Sequence, residues 1–325
     1  MTNFPNTRLR RLRGSESIRK LIQETYISPV DFIYPIFVTH GNNIKEEITS
    51  MPGCYRFSLD MLPNEITDIA ELDISGVLLF GIPSKKDKLG SEAYNEHGII
   101  QQAIQVIKQT NQKLIVVTDV CLCEYTDHGH CGITKGSEIK NDATLKILAK
   151  VALSHANAGA DIVAPSAMMD GQVKVIRKKL DENGYEEFPI MSYSAKYAST
   201  FYGPFRDAAD SRPQIGDRLS YQMDPANSNQ ALLEVTADIS EGADIIMVKP
   251  ALSYMDIISK VRSKTLHPLA VYNVSGEYSI IKAAAKNGWI DEDKMIMEIL
   301  TSIKRAGADI IITYHAKEAA RLLRK

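Results

Sequence analysis

One phrase recurs along this chain and limits what it can fold into. NAGADIVAPS at 157–166, EGADIIMVKP at 241–250 and AGADIIITY at 306–314 each pass from Gly-Ala-Asp into an apolar run. Runs of the same kind stand at 31–38 (DFIYPIFV), 75–82 (SGVLLFGI), 113–120 (KLIVVTDV), 187–194 (EFPIMSYS) and 268–275 (PLAVYNVS), which makes eight. Their near-continuous apolar character, without alternation, indicates strands buried on both faces, as in a parallel sheet. Between them, residues 99–109, 142–158, 171–183, 228–240, 253–264, 292–305 and 316–324 carry apolar side chains at three- and four-residue spacing, the helical period. Asp142 and Ser253 stand where N-caps belong, and Gly159, Gly184, Gly242 and Gly307 where C-caps belong. Strand–helix units repeated in this way predict an α/β fold, a (β/α)8 TIM barrel over residues 31–325 with residues 1–30 as an extended N-terminal arm. An open doubly wound sheet is the alternative.

Composition removes several classes of function. The 325 residues allow one large domain or two ordinary ones, and 44% hydrophobic with 24% charged residues is the make-up of a globular protein. A formal net charge of −2 gives no reason to expect nucleic acid or an anionic membrane as partner. No apolar run approaches the roughly 18 residues of a membrane span. The basic cluster RLRRLRGSESIRK (8–20) is interrupted by Glu16 and followed by Glu24, so it reads as a solvated or subunit-embracing arm sooner than a nucleic-acid arm or a transit peptide. Three of the four cysteines fall between 121 and 131, a spacing expected of a cytosolic metal site, and the expected location is the cytoplasm.

In a barrel the C-terminal ends of the strands meet at one mouth, where active sites are built. Asp119, Cys121 and Cys123 end the third run, Ser166 the fourth, Lys196 the fifth, Lys249 the sixth, Ser275 the seventh and Tyr314 the eighth. A lysine desolvated beside another cation loses its proton readily, and the free amine attacks a ketone or aldehyde to form a Schiff base. One such lysine suggests a class I aldolase. Two suggest two carbonyl substrates, or one lysine perturbing the other.

In DVCLCEYTDHGHCG, Cys121, Cys123 and Cys131 form C-x-C-x7-C. Three thiolates and an open position make a catalytic zinc site, whereas His128 or His130 as fourth ligand would make a structural one. The connection from Ala195 to Asn227 is long enough to be a lid. It carries Tyr202 and Phe205 to cover a pocket, and Arg206, Arg212 and Arg218, whose guanidinium forks suit a carboxylate.

MSYSAKYAS, FYGPFRDAADS, YQMDPAN, MVKPALSY, YNVSGEY and CLCEYTDHGHCG together resemble the porphobilinogen synthase (5-aminolevulinate dehydratase) family, and the match runs through the barrel and the arm ahead of it. The resemblance implies a TIM-barrel lyase, assembled as a homo-octamer, that condenses two molecules of 5-aminolevulinate into porphobilinogen with loss of two waters on the way to tetrapyrroles and heme. It makes Lys249 the Schiff-base lysine of the propionate-side substrate and Lys196 that of the acetate-side substrate. Ser275 and Tyr314 match the groups on the first carboxylate, and Arg206, Arg218 and Gln222 those around the second. Tyr202 and Phe205 match pocket residues of the lid, and Asp119 and Ser166 line the pocket near the reacting amine. Cys121, Cys123 and Cys131 match the zinc ligands.

The chain departs from the family pattern in two places. An arginine-rich stretch that precedes a glutamate near an allosteric magnesium is replaced by NQALLE, which leaves Glu234 alone as a magnesium position. Residue 315 is His where phenylalanine is common. Against this reading stand a single-lysine aldolase, which has no need of the cysteines, and a non-enzymatic zinc-binding barrel, which has no need of an intact mouth.

Overall fold

The computed structural model describes residues 3–136 and 138–324. Eight parallel strands form the barrel: β1 Phe32–Thr39, β2 Gly76–Ile82, β3 Ile115–Val120, β4 Ile162–Pro165, β5 Met191–Lys196, β6 Ile245–Lys249, β7 Leu269–Asn273 and β8 Ile310–Thr313. They are hydrogen-bonded in the order β4-β3-β2-β1-β8-β7-β6-β5. The ends of this path meet at a parallel bridge between Val163 and Ile190, so the sheet is nearly closed and the open doubly wound alternative is set aside. The outer helices are α1 Leu62–Glu71, α2 Ile99–Thr110, α3 Asn141–Ala158, α4 Gln172–Asp181, α5 Asn229–Glu241, α6 Met255–Arg262, α7 Glu292–Ala306 and α8 Ala316–Leu323, and a further helix, Ser275–Lys286, follows β7.

Two apolar layers result. One lies between strands and helices and includes Val77, Val116, Val163 and Val271 facing Ile66, Ile104, Ile176 and Leu300. The other fills the barrel with Ile33, Phe37, Leu78, Phe80, Val117, Met191, Tyr193, Met247, Tyr272 and Ile312. Period-2 alternation along each strand assigns its residues to these layers, and both are dry, which is why the strands read as continuous apolar runs.

Several local expectations shift. Asp142 lies within the first turn of α3, whose cap position is Lys140, and Ser253 lies in a 3-10 turn, Leu252–Tyr254, ahead of α6. The displacement after β6 has a cause: the amides of Ala251 and Leu252 are held by the Glu277 carboxylate at 3.1 and 2.6 Å, which delays the helix. Gly159, Gly242 and Gly307 do end helices with positive φ, whereas α4 ends at Asp181 with Glu182 as its cap, two residues before Gly184. Helix α1 and helix Ser275–Lys286 are additions to the seven helical stretches expected. Ahead of β1 a 3-10 turn, Leu9–Arg13, and a short helix, Glu16–Leu21, contribute no buried side chain among the described residues. No helix among the described residues is long and apolar enough to cross a membrane.

Candidate active site

The two lysines are direct partners across adjacent strands, Lys249 of β6 opposite Lys196 of β5. Lys249 follows Ile245 and Met247 in alternation and so points into the barrel. Lys196 by alternation from Met191 and Tyr193 would face outward. The pairing corrects this: Ile246 is opposite Ser192 but Val248 is opposite Ala195, so three residues of β5 span two of β6. The extra residue is a bulge, and it turns Lys196 to the interior. Both side chains are buried, 5% exposed for Lys196 and 6% for Lys249.

Their environments differ. Lys196 donates to the carbonyl of Ser166 at 2.5 Å. Burial works against its ammonium form, but the neighbouring Cys131 and Cys121 sulfurs and Asp119 outweigh burial and hold it above the ordinary lysine value. Lys249 lies among the rings of Tyr272, Tyr193, Tyr202 and Phe205, 4.2–5.4 Å from their centroids. Aromatic faces favour a cation, yet burial first and the Lys196 ammonium second push Lys249 down to about 7. The two neighbouring lysines are thus driven apart in charge: one is held as a cation, the other is an amine near neutrality.

Beside them Asp119 accepts from Ser166 Oγ at 3.1 Å, and burial raises its pKa. Its Oδ1 and the hydroxyl of Tyr193 are buried without a partner. Tyr314 and Tyr272 share a hydrogen bond of 3.0 Å between their hydroxyls. Ser275, the first residue of its helix, accepts from the amide of Phe205 at 3.0 Å and donates to the carbonyl of Phe201 at 3.2 Å. Thus the residue expected to meet a carboxylate also fastens the lid.

Cys121, Cys123 and Cys131 are buried free thiols whose sulfurs all lie within 4.8 Å of one another. Hydrogen bonds from Cys121 and Cys123 make Cys131 the readily ionised member, helped by Arg218 and Lys196 against its burial. Three convergent sulfurs fit a soft or borderline cation and are a poor site for magnesium. A second group, Asp119, Cys121 and Glu124, shares Cys121. Glu124 is 2% exposed, with Oε2 3.3 Å from Cys123 Sγ and Oε1 unpartnered. No histidine joins either group among the described residues. His130 is committed elsewhere, Nδ1 to the Tyr221 hydroxyl at 3.1 Å and Nε2 to the Ile215 carbonyl at 2.6 Å, whereas Nε2 of His128 has no partner among the described residues.

The lid after β5 is ordered by a 3-10 turn, Thr200–Tyr202, and a short helix, Gly203–Ala208, and it rejoins β5 where Met223 N donates to the Lys196 carbonyl at 3.1 Å. It seats closely: a Cβ on Gly276 would come within 2.5 Å of the Phe201 carbonyl. Phe205 drops into the mouth against Phe80 and Phe37, with centroids 4.9 and 5.8 Å away. Tyr202 donates to the Tyr197 carbonyl at 2.8 Å. Arg218 is buried and donates to the carbonyls of Gly129 and Ser211 at 2.9 and 2.6 Å. Its Nε, the Nε of Arg206 and both amide atoms of Gln222 have no partner. Unpartnered buried donors are costly, and the two arginines, which line one cavity, offer charged donors that an anionic ligand would satisfy. Arg212 instead pairs with Asp207 at the surface, at 2.5 Å.

Glu234 is apart from this constellation. It lies on α5 in a cavity of about 380 Å³ shared with Asp170, Asp238 and Glu241, and belongs to neither group of candidate metal ligands. Sequence reasoning missed Tyr193, Tyr272 and Glu124. The parity of the two tyrosines with Met191 and Ala270 was a usable signal, and Glu124 stood beside a named cysteine.

The comparisons agree with this geometry. A family model described as delta-aminolevulinic acid dehydratase matches residues 6–322. The delta-aminolevulinic acid dehydratase of Synechococcus elongatus is 56% identical over 324 residues, covering 98% of this chain and 99% of that one. That of Bacillus subtilis is 57% identical over 316 residues, covering 97% and 98%. The crystal structure of delta-aminolevulinic acid dehydratase (porphobilinogen synthase) from Toxoplasma gondii, in complex with the reaction product porphobilinogen, matches with a TM-score of 0.95 at 44% identity over 97% of this chain and 91% of that chain.

Proposed function

The chain belongs to the delta-aminolevulinic acid dehydratase family, and on that premise we propose how its mouth divides the work of the reaction. The enzyme is a lyase of porphyrin and heme biosynthesis that condenses two molecules of 5-aminolevulinate to porphobilinogen with loss of two waters. One observation carries the division of roles: two buried lysines paired across β5 and β6, one kept cationic and the other pushed down to about 7.

Lys249 attacks the ketone of the first, propionate-side substrate and forms an imine, with release of water. Ser275 and Tyr314 take that substrate's carboxylate. Lys196 passes its proton to the Asp119 carboxylate and, as the free amine, forms an imine with the ketone of the second, acetate-side substrate, with release of water. Loss of a proton from the carbon next to that imine gives an enamine, the carbon nucleophile that attacks the first substrate. Asp119 and Ser166 lie at the reacting amines and hold or pass protons there. Arg206, Arg218 and Gln222 bind the second carboxylate; their buried polar atoms without partners among the described residues support this. Phe205 and Tyr202 keep water from the imines, which it would hydrolyse. A single-lysine aldolase leaves Lys196 and the three cysteines without a task.

Cys121, Cys123 and Cys131 would hold zinc, which would supply Lewis acidity there. The protein acts in the cytoplasm as a homo-octamer, and Glu234 marks a magnesium position outside the mouth. An assay of porphobilinogen formation tests the roles. Lys249→Ala abolishes it, and chelation abolishes it reversibly with restoration by zinc. Full activity of Lys249→Ala, or of a metal-free protein with serines at the three cysteines, contradicts them.

A further inference from the structure

Arg56 was not among the residues expected to serve the reaction, and it stands on a short strand, Tyr55–Phe57, outside the barrel sequence. Parallel pairing places it opposite Phe37 of β1, the residue that packs on Phe205 of the lid. From there its guanidinium reaches across 151 and 152 residues of chain: Nη2 donates to the Asp207 carbonyl at 2.6 Å and Nε to the Ala208 carbonyl at 2.9 Å. These carbonyls end the helix Gly203–Ala208, which carries Phe205 and Arg206. A helix C-terminus has carbonyls without intrahelical partners and a partial negative charge, so a planar two-pronged cation fits it. A second cation makes a similar contact two residues later, where Lys86 donates to the backbone carbonyl and, at 2.7 Å, to the carboxylate of Asp210.

Neither side chain has a surface role sufficient to explain this. Arg56 makes one further contact, a long one of 3.3 Å to Glu46, and its main bonds are to backbone. Backbone carbonyls are indifferent to lid sequence but sensitive to lid position. We propose that Arg56, seconded by Lys86, is a positioning residue for the second substrate site: it latches the end of the lid helix so that Phe205 seals the mouth and Arg206 faces the second carboxylate. This rests on the assignment of Arg206 made above, and the experiment separates the two.

The test compares Arg56→Ala, Arg56→Lys and Lys86→Ala in the full-length zinc-loaded enzyme. Three quantities are read: kcat and KM for 5-aminolevulinate, borohydride trapping of a single substrate at Lys249, and hydrogen exchange along the chain. Arg56→Ala is expected to lower kcat/KM by about tenfold to a hundredfold, the scale of one or two charge-assisted hydrogen bonds. Trapping at Lys249 stays at the wild-type level, exchange quickens at amides 203–212 and not in the strands, and Arg56→Lys recovers part of the loss. Lys86→Ala shows the same pattern more weakly. Wild-type exchange in the lid, or a loss of Lys249 trapping and strand protection together with activity, overturns the proposal. If Arg206→Leu keeps full activity while Arg56→Ala has the expected effect, the latch stands and the carboxylate assignment fails.

Discussion

At the scale of the residue, the chemistry turns on one amine. Burial and the neighbouring Lys196 cation bring Lys249 down to about 7, so its nucleophilic form is scarce in acid and dominant above neutrality. Trapping of 5-aminolevulinate at Lys249 is therefore expected to rise about tenfold per pH unit below the inflection near 7 and to level off above it. Removing the like charge with Lys196→Met relieves the second cause, so the inflection moves to higher pH; an unchanged or lowered inflection contradicts this. The same shift bears on stability with a definite sign. Between about 7 and the ordinary lysine value the unfolded chain holds a proton that the folded chain does not, so stability from this group rises with pH over that window and the cost is full below it. Lys249 was legible in sequence because it ends an apolar run at the barrel mouth. The orientation of Lys196 was not, because it depends on a bulge that only the pairing with β6 defines. Arg56 was invisible for a related reason, its partners being backbone carbonyls far away in the chain.

At the scale of the element, the lid divides its arginines by what they touch. Arg206 has an unpartnered buried Nε toward the site, whereas Arg212 is tied to Asp207 at the surface. Arg206→Leu should weaken second-site binding by about tenfold to a hundredfold, from the loss of charge-assisted bonds of roughly 1.5–3 kcal/mol. Steady-state rates check it. Arg212→Leu, breaking a surface pair worth about 0–1 kcal/mol, should be near wild type. Equal damage from the two sinks the assignment. Arg218→Leu is a harsher change, because it also strands the carbonyls of Gly129 and Ser211. The strands were readable because both faces are dry, and most helices because one face is. Helix α1 escaped notice although Ile66 and Ile69 are fully buried, since Pro63 and Asn64 at its start read as a turn. The caps after β6 were misread because a distant carboxylate, Glu277, holds the backbone there.

At the scale of the molecule, the segment ahead of β1 is at odds with a monomer. Leu9, Leu12, Leu21, Ile22 and Tyr26 are exposed, and the short helix Glu16–Leu21 buries nothing. Apolar side chains displayed on an arm are what an assembly covers. Removing residues 1–28 should therefore leave the barrel's circular dichroism intact while lowering the assembled mass measured by light scattering. An unchanged mass contradicts the proposal that the arm joins subunits. The arm's composition was readable in sequence, but which surface Leu9, Leu12, Leu21 and Ile22 cover was not, because these side chains are exposed among the described residues.

The proposed chemistry has Lys249 capture the first substrate and Lys196 the second. Incubation with 5-aminolevulinate, borohydride reduction and peptide mass mapping tests it most directly. The account predicts a reduced adduct at Lys249 at limiting substrate and a second at Lys196 as substrate approaches saturation. An active enzyme whose Lys249 stays unlabelled, or whose adduct appears only at Lys196, contradicts it.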